Sequence, residues 1–285
     1  MTTTITTNQL SSITGVMNYL APESKVLRRF TAPGNSVNTG IYDAHEVPVY
    51  NGRPVQDSFD LDVHGFEIID QPSAVKDFTD KEEMDRIYIP EVEKFVKERT
   101  GADEVAVRGW TLRRAEAPKE NDSQPAAGLV HVDFAPEGAE ERAEIIYQKN
   151  FPDGPGFSRV LTTSFWRVFS PAPQDWPLAL CDFNSVDSSE GLPNQLFFVD
   201  EIPEDLYGPL DRLKNEVSGS EFYYRPEHKW FYFPDMNRDE ALFFKLNDTD
   251  HSKAWRVVHS AFFDQTAQAT VPRHSVEVRT YAFFR

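Results

Sequence analysis

The chain has a single cysteine, Cys181, among its 285 residues. One thiol excludes an intramolecular disulfide and a cysteine-based zinc site. It also fits a reducing compartment, so a cytoplasmic protein is expected. Long apolar runs are missing too, and nothing approaches the ~20 consecutive residues that a membrane-spanning helix needs. The opening stretch MTTTITTNQLSSITGVMNYL has no basic region followed by an apolar core, so no secretory leader is expected. The Asn-x-Ser/Thr triplets at Asn121 and Asn247 then carry no glycosylation meaning. Positive charge is scarce: 29 Lys and Arg stand against 46 Asp and Glu, a net −17. That balance argues against nonspecific nucleic-acid binding and against anionic membrane surfaces, both of which need a basic face.

What the chain does have is aromatic mass, with 22 Phe, 10 Tyr and 5 Trp. Such a composition buries a large core and excludes general disorder. No internal repeat or low-complexity tract is present. The length admits one large core or two small ones, and no linker-like segment divides the later strands. One domain is therefore read, with a support region over about 1–104 and a β core over about 105–285.

Local patterns fill in that plan. The first ten or so residues are Thr-rich and expected to fray, and APESKVLRRFTAPGNSVNTG reads as irregular structure broken by Pro and Gly. HEVPVYNG and GFEIID read as short strands. The block TDKEEMDRIYIPEVEKFVKERTG reads as two helical pieces. Thr79 or Asp80 caps the first, Pro90 restarts the second at a first-turn position, and Gly101 stops it. Ile89, Val92, Phe95 and Val96 then share one face. After Gly101 strand-like runs dominate, among them EVAVRGWTLRR, GLVHVDF, RVLTTSFWRVF, EALFFKL, AWRVVHSAFF and SVEVRTYAFF. Two helical insertions, EGAEERAEIIYQKN and PEDLYGPLDRLKNEV, interrupt them. Many short strands with turn signals predict a sandwich or barrel, mainly β, braced on one face by the preceding helices.

In GLVHVDFAP, His131 and Asp133 are two apart, so in a strand they point to one side. They offer two members of a facial triad of two histidines and one carboxylate, the set that leaves open positions on Fe(II); zinc uses similar donors. The plain alternative is a strand histidine bonded to a neighbour. A third ligand must be another histidine. His45 and His64 precede the β region, His228 and His251 sit in polar turns expected to be solvated, and His274 stands at a strand start. His259, inside the apolar run AWRVVHSAFF, remains, its alternative being a core histidine bonded to backbone. In PRHSVEVRTYAFF, Arg273, Ser275 and Arg279 share one parity. An arginine fork with a hydroxyl suits a carboxylate. For Arg279 a surface ion pair with Glu277 or with a neighbouring strand is an equal reading.

His-x-Asp, a distant His and then Arg-x-Ser resemble the Fe(II)/2-oxoglutarate-dependent oxygenase superfamily. More narrowly the chain resembles the natural-product oxygenase family of CmcJ-like and AsaB-like hydroxylase/desaturases and a gibberellin desaturase. The phrases DSFDLDVHGFEII, VHVDF, FWRVF, PQDWPLALCDFNSVD, HKWFYFPDM, ALFFKLND, HSAFFD and PRHSVEVR carry the resemblance over most of the chain. It implies a double-stranded β-helix, the jelly-roll or cupin-like core, with N-terminal helical support. It implies His131, Asp133 and His259 as iron ligands, and Arg273 with Ser275 as the grip on the distal carboxylate of 2-oxoglutarate, with Arg279 assisting or replacing them. Fe(II), 2-oxoglutarate and O2 are the implied cofactor and cosubstrates. Trp166 and Arg167 are candidate pocket residues, as is Tyr147; Trp176 reads as structural. Ser164 and Phe165 depart from the family's Asn before an aromatic pair, and His274 from the usual acidic residue inside Arg-x-Ser.

The implied activity is hydrogen abstraction from an unactivated C–H bond of a small molecule of secondary metabolism. Hydroxylation, desaturation and oxidative cyclisation all stay open. The substrate is amino-acid-, peptide- or terpene-derived, and the assembly a monomer or homodimer. An iron oxidase that does not use 2-oxoglutarate and a non-catalytic jelly-roll binding protein are the rival readings. A zinc hydrolase ranks below them, since no H-E-x-x-H helix is present.

Overall fold

HSVEVRTYAFF alternates small or apolar residues with larger polar ones, and it forms a long strand whose two sides differ. Val276, Val278 and Ala282 enter one apolar cluster, while Tyr281 and Phe283 enter another. In a computed structural model that describes residues 5–114, 123–124, 128–210, 218–264, 266 and 270–285, this strand is the last of 17. The earlier ones are β1 Ser12–Leu20, β2 Leu27–Ala32, β3 Asn35–Asn38, β4 Tyr42–Asn51, β5 Phe66–Asp70, β6 Glu104–Arg114, β7 Ser123–Gln124 and β8 His131–Val132. Then come β9 Arg159–Val168, β10 Leu178–Cys181, β11 Leu192–Phe198, β12 Ser218–Glu221, β13 Trp230–Tyr232, β14 Glu240–Asp248, β15 His259–Ala261, β16 Phe263–Asp264 and β17 His274–Phe284. Helices are α1 Lys81–Glu83, α2 Ile89–Thr100 and α3 Ala139–Asn150.

The strands form two sheets. One runs β5-β14-β9-β17-β6-β7, the other β16-β1-β4-β13-β10-β15-β8-β12-β11-β2-β3. Trp166, Phe244 and Tyr281 of the smaller sheet meet Leu178, Leu180 and Phe231 of the larger in one buried cluster between them. The larger sheet curls. Bridges Asn18–Leu129 and Leu20–Tyr223 tie β1 back towards β8 and β12. The enclosed side holds a second core with Met17, Val49, Val132, Cys181, Trp230 and Phe262. The outer face of the smaller sheet is covered by the helical block, Val92 and Val96 of α2 packing with Phe165, Phe243 and Val278.

The block folds as its sequence predicts. Asp80 caps it by accepting from the Glu82 and Glu83 N–H groups at 2.8 and 3.3 Å. Pro90 has no N–H to continue an α-helical ladder, and Met84–Tyr88 widens into a π turn closed by Ile89 N–H on the Met84 carbonyl. Gly101 ends α2 in the left-handed region, with φ 71°.

Three expectations are corrected. The stretch expected to be irregular contains the hairpin β2–β3, whose two-residue turn is Pro33-Gly34. The N-terminal third is more than a helical support, because β1 and β4 are members of the larger sheet. The insertion PEDLYGPLDRLKNEV is turn rather than helix over residues 203–210, and residues 211–217 lie outside the described residues. No helix among the described residues is long and apolar enough to cross a membrane.

Candidate metal centre

Strand β8 is two residues long, and β15 three, yet they lie side by side with His131 opposite His259. On β8 the neighbours Val130 and Val132 turn into the enclosed core, so alternation turns His131 and Asp133 the other way. Val258 does the same beside His259. The two imidazoles face each other with centroids 4.4 Å apart. The ligand atoms of His131, Asp133 and His259 lie within 4.8 Å of one another. Asp133 Oδ1 is 3.6 Å from His131 Nε2, and Oδ2 is 3.9 Å from His259 Nε2.

The tautomers fit a metal. His131 Nδ1 donates to the Leu129 carbonyl at 2.7 Å, and His259 Nδ1 to the Val257 carbonyl at 3.0 Å. A carbonyl only accepts, so both rings carry their proton on Nδ1 and turn the Nε2 lone pair inward. Burial, then the adjacent His131, push His259 down to about 4, which keeps its lone pair available. Burial works against a charge on Asp133, but Arg279 and the two imidazoles hold its carboxyl well below the usual range. Two neutral imidazoles and one carboxylate suit a borderline divalent cation such as Fe(II). The donor set therefore fits the iron that the sequence implies.

Beside it lies a small, partly open cavity. His131 and His259 line it together with Arg113, Arg273 and Glu277; Trp166, Leu178 and Phe244 supply the apolar wall. Arg273 is 4% exposed, donates to the Trp176 carbonyl and lies 5.4 Å from the Trp166 ring. Its Nε, and the Oγ of fully buried Ser275, have no partner among the described residues. Burial, then the like charge of Arg113, push the Arg273 guanidinium down to about 9. A cavity with two crowded arginines and two unmatched donors is built to receive an anion.

Arg279 is differently engaged. Nη2 stands 2.9 Å from Asp133 Oδ2, and Nε and Nη2 donate to Glu277 at 3.2 Å. It is not among the cavity lining. Glu277 is buried, not the surface partner that the alternative reading of Arg279 assumed, and it also accepts from Ser164 Oγ at 2.9 Å.

Trp166 lines the cavity. Arg167 cannot, because its neighbour on the same strand already points that way. It lies fully buried under the helical block, donating to Tyr88 Oη and the carbonyls of Gln71 and Arg238. Tyr147 of α3 is likewise away from the cavity lining, packed on Phe157 and Phe283 and accepting from Gly156 N–H at 3.2 Å. His228 is not solvated: it is 5% exposed, with Nε2 2.9 Å from Glu190 and Nδ1 3.3 Å from Tyr19 Oη. His251 is exposed and stacks on Trp255.

Arg113 escaped the sequence reading. On β6 it lines the cavity, and Arg108 five positions earlier lies on the same side of the sheet, near Tyr281 and Arg279, which strict alternation forbids. A bulge explains it: Arg279 pairs with Gly109 and Thr280 with Val107, so Arg108 and Gly109 share one step of β17. Gly109 adopts φ 136°, a conformation open chiefly to glycine. The lone glycine inside EVAVRGWTLRR was the available signal.

A family model described as "Oxidoreductase/YMDC permease-like domain" matches residues 17–283. Hydroxylase/desaturase efuI of Hormonema carpetanum is 29% identical over 85% of both chains. Fe(II)/2-oxoglutarate-dependent dioxygenase nvfI of Aspergillus novofumigatus is 27% identical over 88% of this chain and 87% of its own. The solved structure of the iron and alpha-ketoglutarate-dependent endoperoxidase NvfI superposes with a TM-score of 0.78 at 24% identity, over 96% of this chain and 98% of that one. That likeness gives the fold, the jelly-roll core expected from the sequence. The matched span takes in the whole histidine–carboxylate centre and both Arg273 and Arg279, and the chain belongs to this oxidoreductase family.

Proposed function

We propose that the protein is an Fe(II)/2-oxoglutarate-dependent oxygenase acting on a small molecule of secondary metabolism. His131, Asp133 and His259 hold the iron, and Arg273 with Ser275 grips the distal carboxylate of 2-oxoglutarate. The observation that carries this reading is the meeting of three ligand atoms within 4.8 Å beside a cavity lined by Arg273. The activities in the names of efuI and nvfI support it. When bound, iron and 2-oxoglutarate together supply O2 activation coupled to decarboxylation, with succinate and CO2 as co-products and a C–H bond as target.

The chain's own groups do the rest. The Leu129 and Val257 carbonyls fix the two imidazole tautomers. Arg279, braced by Glu277, holds the Asp133 carboxylate in place and ionised. Trp166, Leu178 and Phe244 keep water from the cavity wall. Buried Ser275 offers its hydroxyl, and Arg273 its Nε, to one carboxylate end.

Anaerobic addition of Fe(II) and 2-oxoglutarate should give a visible charge-transfer band, and aerobic turnover should give succinate. Arg273→Ala should abolish the band at concentrations that saturate the wild type, while His131→Ala should lose the metal itself. A band that survives Arg273→Ala but not Arg279→Ala would move the clamp to Arg279.

A further inference from the structure

The inner face of β17 carries a second concentration of positive charge, away from Arg273. Arg279 stands at its centre. Tyr281 follows two residues on, 1% exposed, with its ring 6.1 Å from Phe134 of the metal segment. The β6 bulge brings Arg108 opposite the step between Arg279 and Thr280. Helix α3 begins six residues after Asp133, and its Ala143 and Tyr147 pack into the cluster that holds Tyr281, which brings Arg142 alongside. Three arginines therefore surround one phenol next to the metal carboxylate, in a chain of net charge −17.

Among the described residues, only Asp133 and Glu277 set negative charge against them. Asp133 and Glu277 serve Arg279. Neither Arg108 nor Arg142 forms an ion pair among the described residues. The buried Arg142 Nε has no hydrogen-bond partner there, and the Tyr281 phenol oxygen has only the Arg142 guanidinium beside it, with no acceptor for its own O–H. Arg108 is exposed, yet partial desolvation lowers its guanidinium; Tyr281 and Asp133 oppose this, while Arg142 and Arg279 reinforce it. Mutual repulsion and unmatched buried donors both ask for an anion.

That anion is not the distal carboxylate of 2-oxoglutarate. Ser275 and Tyr281 are six residues apart on one strand, roughly 20 Å at the extended rise. A five-carbon diacid does not span that, and Glu277 stands between the two groups with negative charge. Resting on the oxygenase reading above, we propose that Arg108, Arg142 and Tyr281, with Arg279 behind them, form a substrate subsite that binds a carboxylate and so selects acidic small molecules.

The test uses full-length protein loaded with redox-silent Mn(II) and saturating 2-oxoglutarate. Acetate, benzoate and indole-3-acetate are titrated by calorimetry, each beside its neutral amide. At least one carboxylate should bind saturably, and its amide at least tenfold more weakly. Arg142→Ala and Arg108→Gln should each weaken the carboxylate at least tenfold without changing the amide. Arg142→Lys should restore part of the loss, which a merely structural role would not predict. Arg273→Ala should lose 2-oxoglutarate yet keep the carboxylate. Equal binding of acid and amide, no saturable carboxylate binding to the wild type, or unchanged affinity in both arginine variants would overturn the subsite. Failure of Mn(II) and 2-oxoglutarate to bind the wild type would instead sink the oxygenase reading, and the carboxylate titrations would still report on Arg108 and Arg142.

Discussion

Arg167 and Arg273 are both buried arginines, and they serve opposite ends. Arg167 spends its donors on Tyr88 Oη and two carbonyls, so it is a fastening between β9 and the segments above it. Arg273 keeps Nε unmatched, as a ligand group must. Arg167→Met should therefore lower unfolding free energy by about 3 kcal/mol, since it leaves buried acceptors unpaired. Urea denaturation measures that, and 2-oxoglutarate affinity of the folded fraction should not change. The difference was not readable from residue type. It follows from strand parity, because Trp166 faces the cavity and the next residue must face away. Parity did give the candidate metal centre: His131 and Asp133 are legible as a same-side pair, and His259 as a histidine in an apolar run. Glu277 was legible only as a charge near Arg279, since nothing in the sequence says which side of β17 is buried against a second sheet.

Elements were easiest to read where one face is apolar and the ends are marked. Asp80, Pro90 and Gly101 punctuate the helical block, and β17 alternates along its length. The hairpin β2–β3 is hidden in the sequence because Pro33-Gly34 reads as a break when it is the turn itself; Ala32 and Asn35 pair directly across it. The bulge at Gly109 was missed because one glycine does not tell how the partner strand is registered. Its effect on the site is testable. Gly109→Ala meets no neighbour within 4 Å but is strained at φ 136°. The substitution should cost about 1–3 kcal/mol. If the strand instead relaxes to regular pairing, Arg113 turns outward, and 2-oxoglutarate should bind more weakly with iron affinity kept. Calorimetric titration of both ligands separates the two effects.

Ion pairs at the end of β14 set the acid limit of the same sheet. Lys245 is fully buried and meets Asp62 and Asp248 at 2.8 Å each, and Arg159 donates to Asp248 at 2.7 and 2.8 Å. Burial alone would raise both carboxyls. The Lys245 and Lys253 contacts bring Asp62 down to about 2, and Arg159 and Lys245 lower Asp248. A depressed native value gives stability that is complete above the unfolded value of 3.8 and is lost as pH falls through the native one. Melting temperature should hold from pH 7 to about 5 and fall from pH 4 towards 2, and Asp62→Asn should flatten that fall.

Across the whole molecule, the proposed ligands His131 and His259 lie on strands of the larger sheet and Asp133 directly follows β8, whereas Arg279, which pairs with Asp133, comes from the smaller. A cation that binds only the folded centre stabilises the fold. By mass action, Mn(II) at about 100 times its dissociation constant should add about 2.7 kcal/mol to stability. Differential scanning fluorimetry should show that gain, its reversal by chelator, and its absence in Asp133→Ala. The jelly-roll core was legible from the density of short strands together with the family phrases. The curl of the larger sheet was not, because it depends on strands far apart in sequence.

That curl has a consequence for how the protein comes into being. Of the described strands β1 comes first in sequence, and it is hydrogen-bonded to β16, about 250 residues later. Pairing across such a sequence distance is entropically slow. During synthesis the free edge of β4 stays open until β13 emerges, and that of β1 until β16 does. Refolding from denaturant should accordingly take seconds rather than milliseconds and lose yield as protein concentration rises.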